Sequence, residues 1–429
     1  MFGFANFLLL ALFAAAVFDL IFALARGGGL RGALHGLWNT PHLLFGQQLA
    51  EWRLQLGRIL FAAGLAAYEI SVVFCNSMAR QNWAWVQGVI SPVLEWLAFL
   101  CFGAKILFGT RYTWRELLAG GTLYFIARWV YFNSQNIWWI GIVVAVLAAK
   151  DVPLRRPLQV YFASGCAAMA VVLALHFAGI VAPDLTSERM GALRGTYGYG
   201  HPNTFGGLVF GLVLAYALLR AQKVRWVDCL LVFAVGVFLL VGPASRSAAL
   251  CTLALAVGLV FCRLRAGHSV PRWWPGTCAG MVGLTAAVSY LLPLLVIKVG
   301  PWNNDIGPAW LAKLDSLLTC RISLTWMAYR LLDVKIAGQV FNWPTVDNSF
   351  AFALFQFGPV VAALLGILFA AALLGHAKQG RRVEVCCLFA MLAYAYMEVQ
   401  PFHLTTNPTV LLLCGAVFAQ TSARWQKIE

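Results

Sequence analysis

The sequence predicts an all-α protein that crosses a membrane many times. Of its 429 residues, 61% are hydrophobic and 11% are charged, and its apolar runs repeatedly reach the ~20 residues that an α-helix needs to span a bilayer. A single soluble core does not hide so much apolar surface. The class of soluble globular proteins is therefore excluded, and residues 1–429 are expected to form one transmembrane domain.

The apolar runs define the candidate spans 4–25, 59–78, 86–108, 115–131, 136–149, 158–181, 204–219, 226–242, 247–261, 279–297, 348–373, 383–399 and 407–421. The run 136–149 is short for a span, and 33–50 is an interfacial or re-entrant candidate, so 12 to 14 spans are predicted. Basic residues follow the first run rather than precede it, and it has no small-residue cleavage site. It is therefore predicted to be a retained span and not a signal peptide.

The basic residues predict which connections share one face of the membrane. Alternate segments hold 21 of the 31 Lys and Arg residues, at 26–58, 105–115, 150–156, 220–225, 263–272, 378–382 and in the C-terminal tail. By the positive-inside rule this face is predicted to be cytoplasmic. The net charge of +15 then reports topology and attraction to anionic lipid, and nucleic-acid binding is a poor explanation of it.

The cysteines are expected to be core residues. Of the eleven, ten lie in or beside apolar runs, and Cys320 lies in the long outer segment. Their spacing matches no metal-binding pattern. We expect small, polarizable core side chains, with neither a disulfide framework nor a metal site.

The long stretch between spans, residues 298–347, is predicted to lie on the outer face because the faces alternate. From Lys313 to about Leu332, apolar residues recur at helical spacing. This spacing predicts one amphipathic helix that lies over the bundle as a lid, with Arg321 and Arg330 directed at what lies beneath.

The outer face is predicted to hold arginines where the charge rule places few: Arg189, Arg194, Arg246, Arg321 and Arg330. Cations in such a place indicate an anionic partner. Arg246 lies in a tight turn between two spans, and snorkelling to the interface is the alternative explanation for it.

A glycine-rich segment, Arg194-Gly-Thr-Tyr-Gly-Tyr-Gly-His201-Pro-Asn203, leads into the span 204–219. Its glycines permit close approach of a ligand to the backbone, and the free N–H groups of a helix start favour an anion. The alternative is a flexible loop in which His201 caps the helix.

Two carboxylates are expected at the same level. Asp347 stands in Val-Asp-Asn-Ser-Phe, at the start of the span 348–373, where a plain helix N-cap is the alternative reading. Glu398 lies in a hairpin at a membrane edge, where an ionisable group is a functional candidate.

In order and wording, these motifs resemble those of the Wzy-type bacterial polysaccharide polymerases and the related O-antigen ligase family. The match comprises Arg-Gly-Thr-Tyr-Gly-Tyr-Gly-His-Pro-Asn-Thr-Phe-Gly from 194, Ser-Arg-Ser at 245–247, Leu-Asp-Ser-Leu-Leu-Thr-Cys-Arg-Ile-Ser-Leu at 314–324, Gly338-Gln339, Val-Asp-Asn-Ser-Phe at 346–350 and Glu398. The middle block is most similar to the Gram-positive branch, whose members tend to read LNSLLTGRL and VDNSY there. The resemblance implies a metal-independent glycosyltransferase of the GT-C type, with a large outer loop that carries part of the site.

Such an enzyme moves a growing glycan from an undecaprenyl-diphosphate donor onto a second lipid-linked repeat unit, at the outer face of the bacterial cytoplasmic membrane. The resemblance implies that Arg194, Arg246 and Arg321 bind the diphosphate, since a guanidinium group fits phosphate oxygens. The base that takes the acceptor proton is left open among Asp347, Glu398 and His201. Sugar contacts are expected from Asn203, Asn348, Tyr199 and Arg330.

Two other functions stay open. O-antigen ligases generally carry a His before an Asn, Ser or Gln where this chain has Asp347-Asn348, which favours the polymerase, although both share the donor. A lipid-linked oligosaccharide flippase or other transporter would need cations in a central cavity at mid-depth. No cofactor is expected. The expected partners are lipid-linked glycans, membrane lipids, a chain-length regulator and a flippase, and no nucleic acid.

Overall fold

The computed structural model describes residues 2–25, 29–46, 50–181, 187–189, 192–296 and 307–418. Over these residues the chain is helical almost throughout, which confirms the all-α prediction. The α-helices in chain order are α1 Phe2–Ala25, α2 Gly29–Asn39, α3 Ala50–Cys75, α4 Ala79–Asn82, α5 Ser91–Phe108, α6 Trp114–Ser134, α7 Ile137–Ala148, α8 Arg155–Phe177, α9 Pro202–Leu219, α10 Trp226–Val241, α11 Arg246–Leu264, α12 Trp274–Leu291, α13 Ala309–Leu317, α14 Arg321–Leu331, α15 Ser349–Phe352, α16 Pro359–Lys378, α17 Arg382–Met397 and α18 Cys414–Val417.

Shorter elements lie between these helices. The π-helices are Val86–Ile90 and Ala353–Phe357, and the 3-10 helices are Leu292–Leu295, Gln400–Phe402 and Pro408–Leu413. Two antiparallel strand pairs are β1 His42–Leu43 with β2 Arg111–Tyr112, and β3 Ser187–Arg189 with β4 Ala192–Arg194.

The lengths of the helices show a multi-pass membrane protein. Within the described residues, eight helices are long and apolar enough to cross a membrane: Asn6–Ala25, Ala50–Cys75, Val86–Phe108, Arg155–Phe177, Pro202–Leu219, Arg246–Leu264, Trp274–Leu295 and Pro359–Lys378. Shorter apolar helices are Ile137–Ala148, Trp226–Val241 and Pro408–Val417. The count of 12 to 14 spans stays a prediction.

Caps define both ends of α6 and the start of α7. Thr113 and Glu116 form a reciprocal capping box at the start of α6, with 2.8 Å from the main-chain N of Thr113 to Oε2 of Glu116. Gln135 ends α6 in the left-handed conformation, and Oδ1 of Asn136 then accepts a hydrogen bond from the N–H of Trp138 at 2.9 Å. The predicted short run 136–149 is therefore a separate helix.

Small residues let α3 pack closely on α5. A Cβ on Gly64 would lie 3.0 Å from the main-chain oxygen of Ala98, and Gly57 meets Gly109 backbone to backbone. Close backbone approach through small residues is the usual mode of helix packing in a bilayer. Phe61 and Phe102 fill the same interface, with ring centroids 5.5 Å apart.

Segments predicted to share a face do meet at one end of the bundle. One cavity is lined together by residues from 154–158, 218–225, 262–266 and 379–384. Arg53 bonds to the main chain of Phe108 at 2.9 Å, and the N–H of Arg111 donates to Asp151 at 3.0 Å. We call this the basic end. The helices α9, α11 and α17 run from it to the opposite end, where the motif residues lie.

Three sequence predictions need correction. The single amphipathic helix from Lys313 is wrong, because the chain breaks between α13 and α14. The predicted span 348–373 is interrupted at Gly358, which has a φ of 87° that ends the π-helix before Pro359 starts α16. The predicted span 407–421 starts as the 3-10 helix Pro408–Leu413. Residues 298–306 and 419–421 lie outside the described residues.

Candidate functional site

A buried ion pair joins α14 to the end of α17. Nη2 of Arg321, the first residue of α14, lies 2.6 Å from Oε1 of Glu398, which directly follows α17. Each side chain is 7% exposed. Loss of either partner from a pair so far withdrawn from water is strongly destabilising, so each residue depends on the other.

Asn203 connects this pair to a second arginine. Its Nδ2 donates to Oε1 of Glu398 at 2.9 Å, and its Oδ1 accepts from Nη2 of Arg194 at 2.9 Å. Arg194 is buried and also donates to the main-chain oxygen of Ala244 at 3.3 Å. A continuous chain of contacts therefore runs from Arg194 through Asn203 and Glu398 to Arg321, with two buried guanidinium groups at its ends.

Asp315 on α13 fixes the start of α14. Its Oδ1 accepts hydrogen bonds from the main-chain N–H groups of Ile322 at 2.7 Å and Ser323 at 3.1 Å, and its Oδ2 accepts from the Ser323 hydroxyl at 2.8 Å. These N–H groups belong to the first turn of a helix and have no partner within it. The fully buried Asp315 therefore acts as a cap that aims Arg321 at Glu398.

The turn before Arg321 holds two non-glycine residues in the left-handed region. Thr319 has a φ of 57° and Cys320 a φ of 64°. Left-handed backbone costs a residue with a Cβ about 1 kcal/mol. The exposed Cys320 stands where the resembling proteins carry glycine.

Cys320→Gly is expected to raise the free energy of unfolding by about 1 kcal/mol, because glycine adopts this φ without the Cβ clash. Thermal unfolding in detergent measures the gain. Cys320→Ala keeps the Cβ and serves as the control. The same gain in both variants would attribute the effect to loss of the thiol and contradict the backbone argument.

The start of α9 places Asn203. Nδ1 of His201 accepts a hydrogen bond from the N–H of Asn203 at 3.1 Å, so the exposed His201 does cap this helix. A Cβ on Gly206 would overlap Ser245, and one on Gly207 would overlap Gln400. Glycine at 206 therefore lets α9 approach Ser245 closely, whereas at 207 the overlap is with the end of the flexible Gln400 side chain. A role for His201 as base stays a prediction.

Asn348, and not Asp347, caps the helix that follows. Oδ1 of Asn348 accepts from the N–H groups of Phe350 at 2.9 Å and Ala351 at 3.0 Å, while its Nδ2 donates to Ser289 at 3.0 Å. The N-cap reading of Asp347 is therefore wrong. The next residue, Ser349, donates from its hydroxyl to the main-chain oxygen of Glu398 at 2.5 Å, which anchors this segment to the ion pair.

The electrostatics of Glu398 reflect burial and neighbouring charges. The pKa of Glu398 is raised to about 7; burial is the largest cause, since the charged form loses its hydration, and the charge of Asp347 acts in the same direction. Arg321 and a hydrogen bond with Ser247 act in the opposite direction. Asp347 is half-buried, and the structure records no side-chain hydrogen bond for it among the described residues.

The other candidate residues fall in different surroundings. Arg246 is exposed at the start of α11, and the exposed Arg330 stacks on Trp326 with its Cζ 5.3 Å from the ring centre. Tyr199 is fully buried beside Phe205, and its contact with a sugar stays a prediction. Arg189 belongs to β3, and its partner across the strand pair is Ala192.

Sequence analysis missed several residues of this site. They are Ser247, Asp315, Ser349 and Gln400, which act by aiming or holding the residues that it did find. A signal was present for Ser247 and Ser349, since both flank predicted residues within the quoted motifs. Asp315 lies in the quoted block 314–324, but its role as a cap follows only from the fold, and Gln400 lies outside the motifs quoted for the resemblance.

Among the described residues, no group of three or more His, Cys, Asp or Glu side chains could hold a metal ion. Comparison with protein-family models, curated proteins and solved structures found no match. The case for a function therefore rests on the motifs and on the geometry of the site.

Proposed function

We propose that the chain is a membrane glycosyltransferase that polymerises undecaprenyl-diphosphate-linked oligosaccharide repeat units at the outer face of a bacterial cytoplasmic membrane. The observation that supports this most is the contact chain Arg194, Asn203, Glu398 and Arg321. It gathers motif residues from distant parts of the sequence at one end of the bundle.

The reaction needs cations at the leaving group. The acceptor hydroxyl oxygen forms a bond to the anomeric carbon of the donor, the bond from that carbon to the diphosphate oxygen breaks, and the electron pair leaves with the diphosphate. Arg194 and Arg321 supply positive charge in a water-poor site, where such charge stabilises a developing anion strongly. The exposed Arg246 lies one residue from Ser247 and adds a third cation at the same rim.

The proton of the acceptor hydroxyl needs a base, and Asp347 fits this role best. Both Arg321 and Asn203 already bond to Oε1 of Glu398, so Glu398 positions the cations. Asp347 is close enough for its charge to act on Glu398, and it is partly exposed. A base must reach the hydroxyl that it deprotonates, and Asp347 has oxygens available for that contact.

Asp347→Asn is expected to lower the rate of glycan transfer by about 100- to 10,000-fold, the usual contribution of a positioned general base. The assay uses purified, reconstituted protein with lipid-linked repeat units, and the rate is read from the loss of single repeats on a gel. The amide keeps the size of the side chain, so folding should be unaffected.

Asp333→Asn is the matched control, since Asp333 is an exposed aspartate in the same outer segment. It should retain the activity of the wild type. If Asp347→Asn is as active as the control, Asp347 is not the base, and Glu398 and His201 are the remaining candidates.

A further inference from the structure

The basic end of the bundle contains a cavity that the proposed function does not use. Its volume is about 880 Å³, and residues from four separate connections line it. Six arginines and one lysine face it against one acidic side chain, Glu384. The charge of this cavity fits an anion.

The positive-inside rule explains why these cations share a face, but it does not explain why they surround one space. Arg155 is the first residue of α8, Arg225 directly precedes α10, and Arg263 lies in the last turn of α11. Lys223 and Arg381 come from two further positions of the same rim. Cations from such distant parts of the sequence converge on one volume.

Carboxylates of the described residues offset only a small part of this charge. Among the described residues, Arg220 is the cation of the cavity that forms an ion pair, with Asp228 at 3.1 Å. Arg382 donates instead to main-chain oxygens, including that of Arg265 at 2.5 Å. Within the described part of the chain, the structure records no side-chain hydrogen bond from the other cations that line the cavity, Arg155, Lys223, Arg225, Arg263 and Arg381.

Helix dipoles add to the positive potential. The helices α8, α10 and α17 all start at this cavity, and their first turns direct main-chain N–H groups toward the same end. A helix N-terminus carries a partial positive charge and favours phosphate. Arginine is suited to the same ligand, since its planar fork matches phosphate oxygens.

The inner wall of the cavity is apolar. Leu158 of α8 and Leu218 of α9 lie there, below the ring of cations. Beside it, α10 presents Val227 and Leu230 on its exposed surface, at 70% and 66% exposure. A basic rim over an apolar wall fits a ligand with a phosphate head and hydrocarbon chains.

We propose that this cavity binds the phosphate headgroup of an anionic phospholipid from the leaflet at the basic end. The inference is independent of the glycosyltransferase proposal, since no residue of the cavity belongs to that site. A lipid with two phosphates, such as cardiolipin, would contact cations on opposite sides of the cavity at once.

The test is a titration of the purified full-length chain in neutral detergent with acyl-chain-labelled cardiolipin, followed by fluorescence anisotropy. The triple variant Arg225→Gln, Arg263→Gln and Arg381→Gln should bind about 100-fold more weakly, since each basic residue near a membrane surface contributes about a fivefold factor. The control Arg31→Gln, Arg58→Gln and Arg272→Gln removes as many exposed arginines outside the cavity. It should bind like the wild type.

Equal weakening in both triple variants would show diffuse attraction to the whole basic face and would overturn the proposal. Inorganic pyrophosphate alone is the second arm. The concentrations at which pyrophosphate and unlabelled cardiolipin each displace half of the labelled lipid are compared. If the two concentrations are equal, the cavity binds a soluble phosphate, and the proposal is overturned. Each single Arg→Gln variant should weaken binding several-fold, which keeps the test decisive if the triple variant does not fold.

Discussion

Arg321→Ala is expected to lower the free energy of unfolding by about 3–5 kcal/mol and to abolish glycan transfer. Removal of the guanidinium group leaves Glu398 buried without its cation, and an uncompensated buried charge costs an amount of this order. The loss of transfer is expected to reach at least about 100-fold, since the positive charge proposed to act on the leaving group is lost as well. Thermal unfolding in detergent and the gel assay measure the two effects separately.

A second substitution separates these effects. Glu398→Gln in the Arg321→Ala background removes the stranded charge, so stability should recover in part while transfer stays absent. Lys313→Ala removes an exposed cation from the neighbouring α13 and should change neither property. If Arg321→Ala has the stability and the transfer rate of the wild type, the ion pair contributes to neither property.

Gly358→Ala is expected to destabilise the protein by at least about 4 kcal/mol or to prevent folding, which places it among the rare large effects of single substitutions. Gly358 has a φ of 87°, where a Cβ is strained, and that Cβ would overlap the main-chain oxygen of Ile336. Backbone atoms cannot rotate away as a flexible side chain can. Residues 335–338, which pack against the π-helix Ala353–Phe357, would therefore be displaced.

Gly366→Ala provides the matched control, because Gly366 lies within α16 and a Cβ there would meet no atom within 4 Å. It should be neutral or slightly stabilising, as alanine is the better helix former. The expression level and thermal unfolding of the two variants give the comparison. Similar behaviour of both would contradict the assigned role of the backbone at Gly358.

Hydrophobic runs predicted most helices of the bundle, because a segment that crosses a bilayer must be a long apolar helix. The predicted run 204–219, for example, corresponds to α9 Pro202–Leu219. The breaks were not predictable from such runs. The division between α13 and α14 depends on hydrogen bonds that Asp315 accepts from the start of α14, and the break at Gly358 depends on the close approach of Ile336. Both are tertiary contacts.

The sequence predicted which residues form the site, but not the contacts between them. Motif order singled out Arg194, Asn203, Arg321 and Glu398, and the structure joins all four in one chain of contacts. Their chemical roles stay predictions. Tyr199 was expected to contact a sugar, and the fold buries it. Its burial was not predictable, because a glycine-rich segment gives no periodicity from which to infer the orientation of a side chain.

The central claim is that this end of the bundle polymerises lipid-linked glycans, and the length distribution of the product tests it most directly. Purified wild-type protein is reconstituted with undecaprenyl-diphosphate-linked repeat units alone, and the lipid-linked glycan is separated on a gel. We predict a ladder of successive repeats that Asp347→Asn fails to produce. Single repeats that persist with folded wild-type protein would contradict the account.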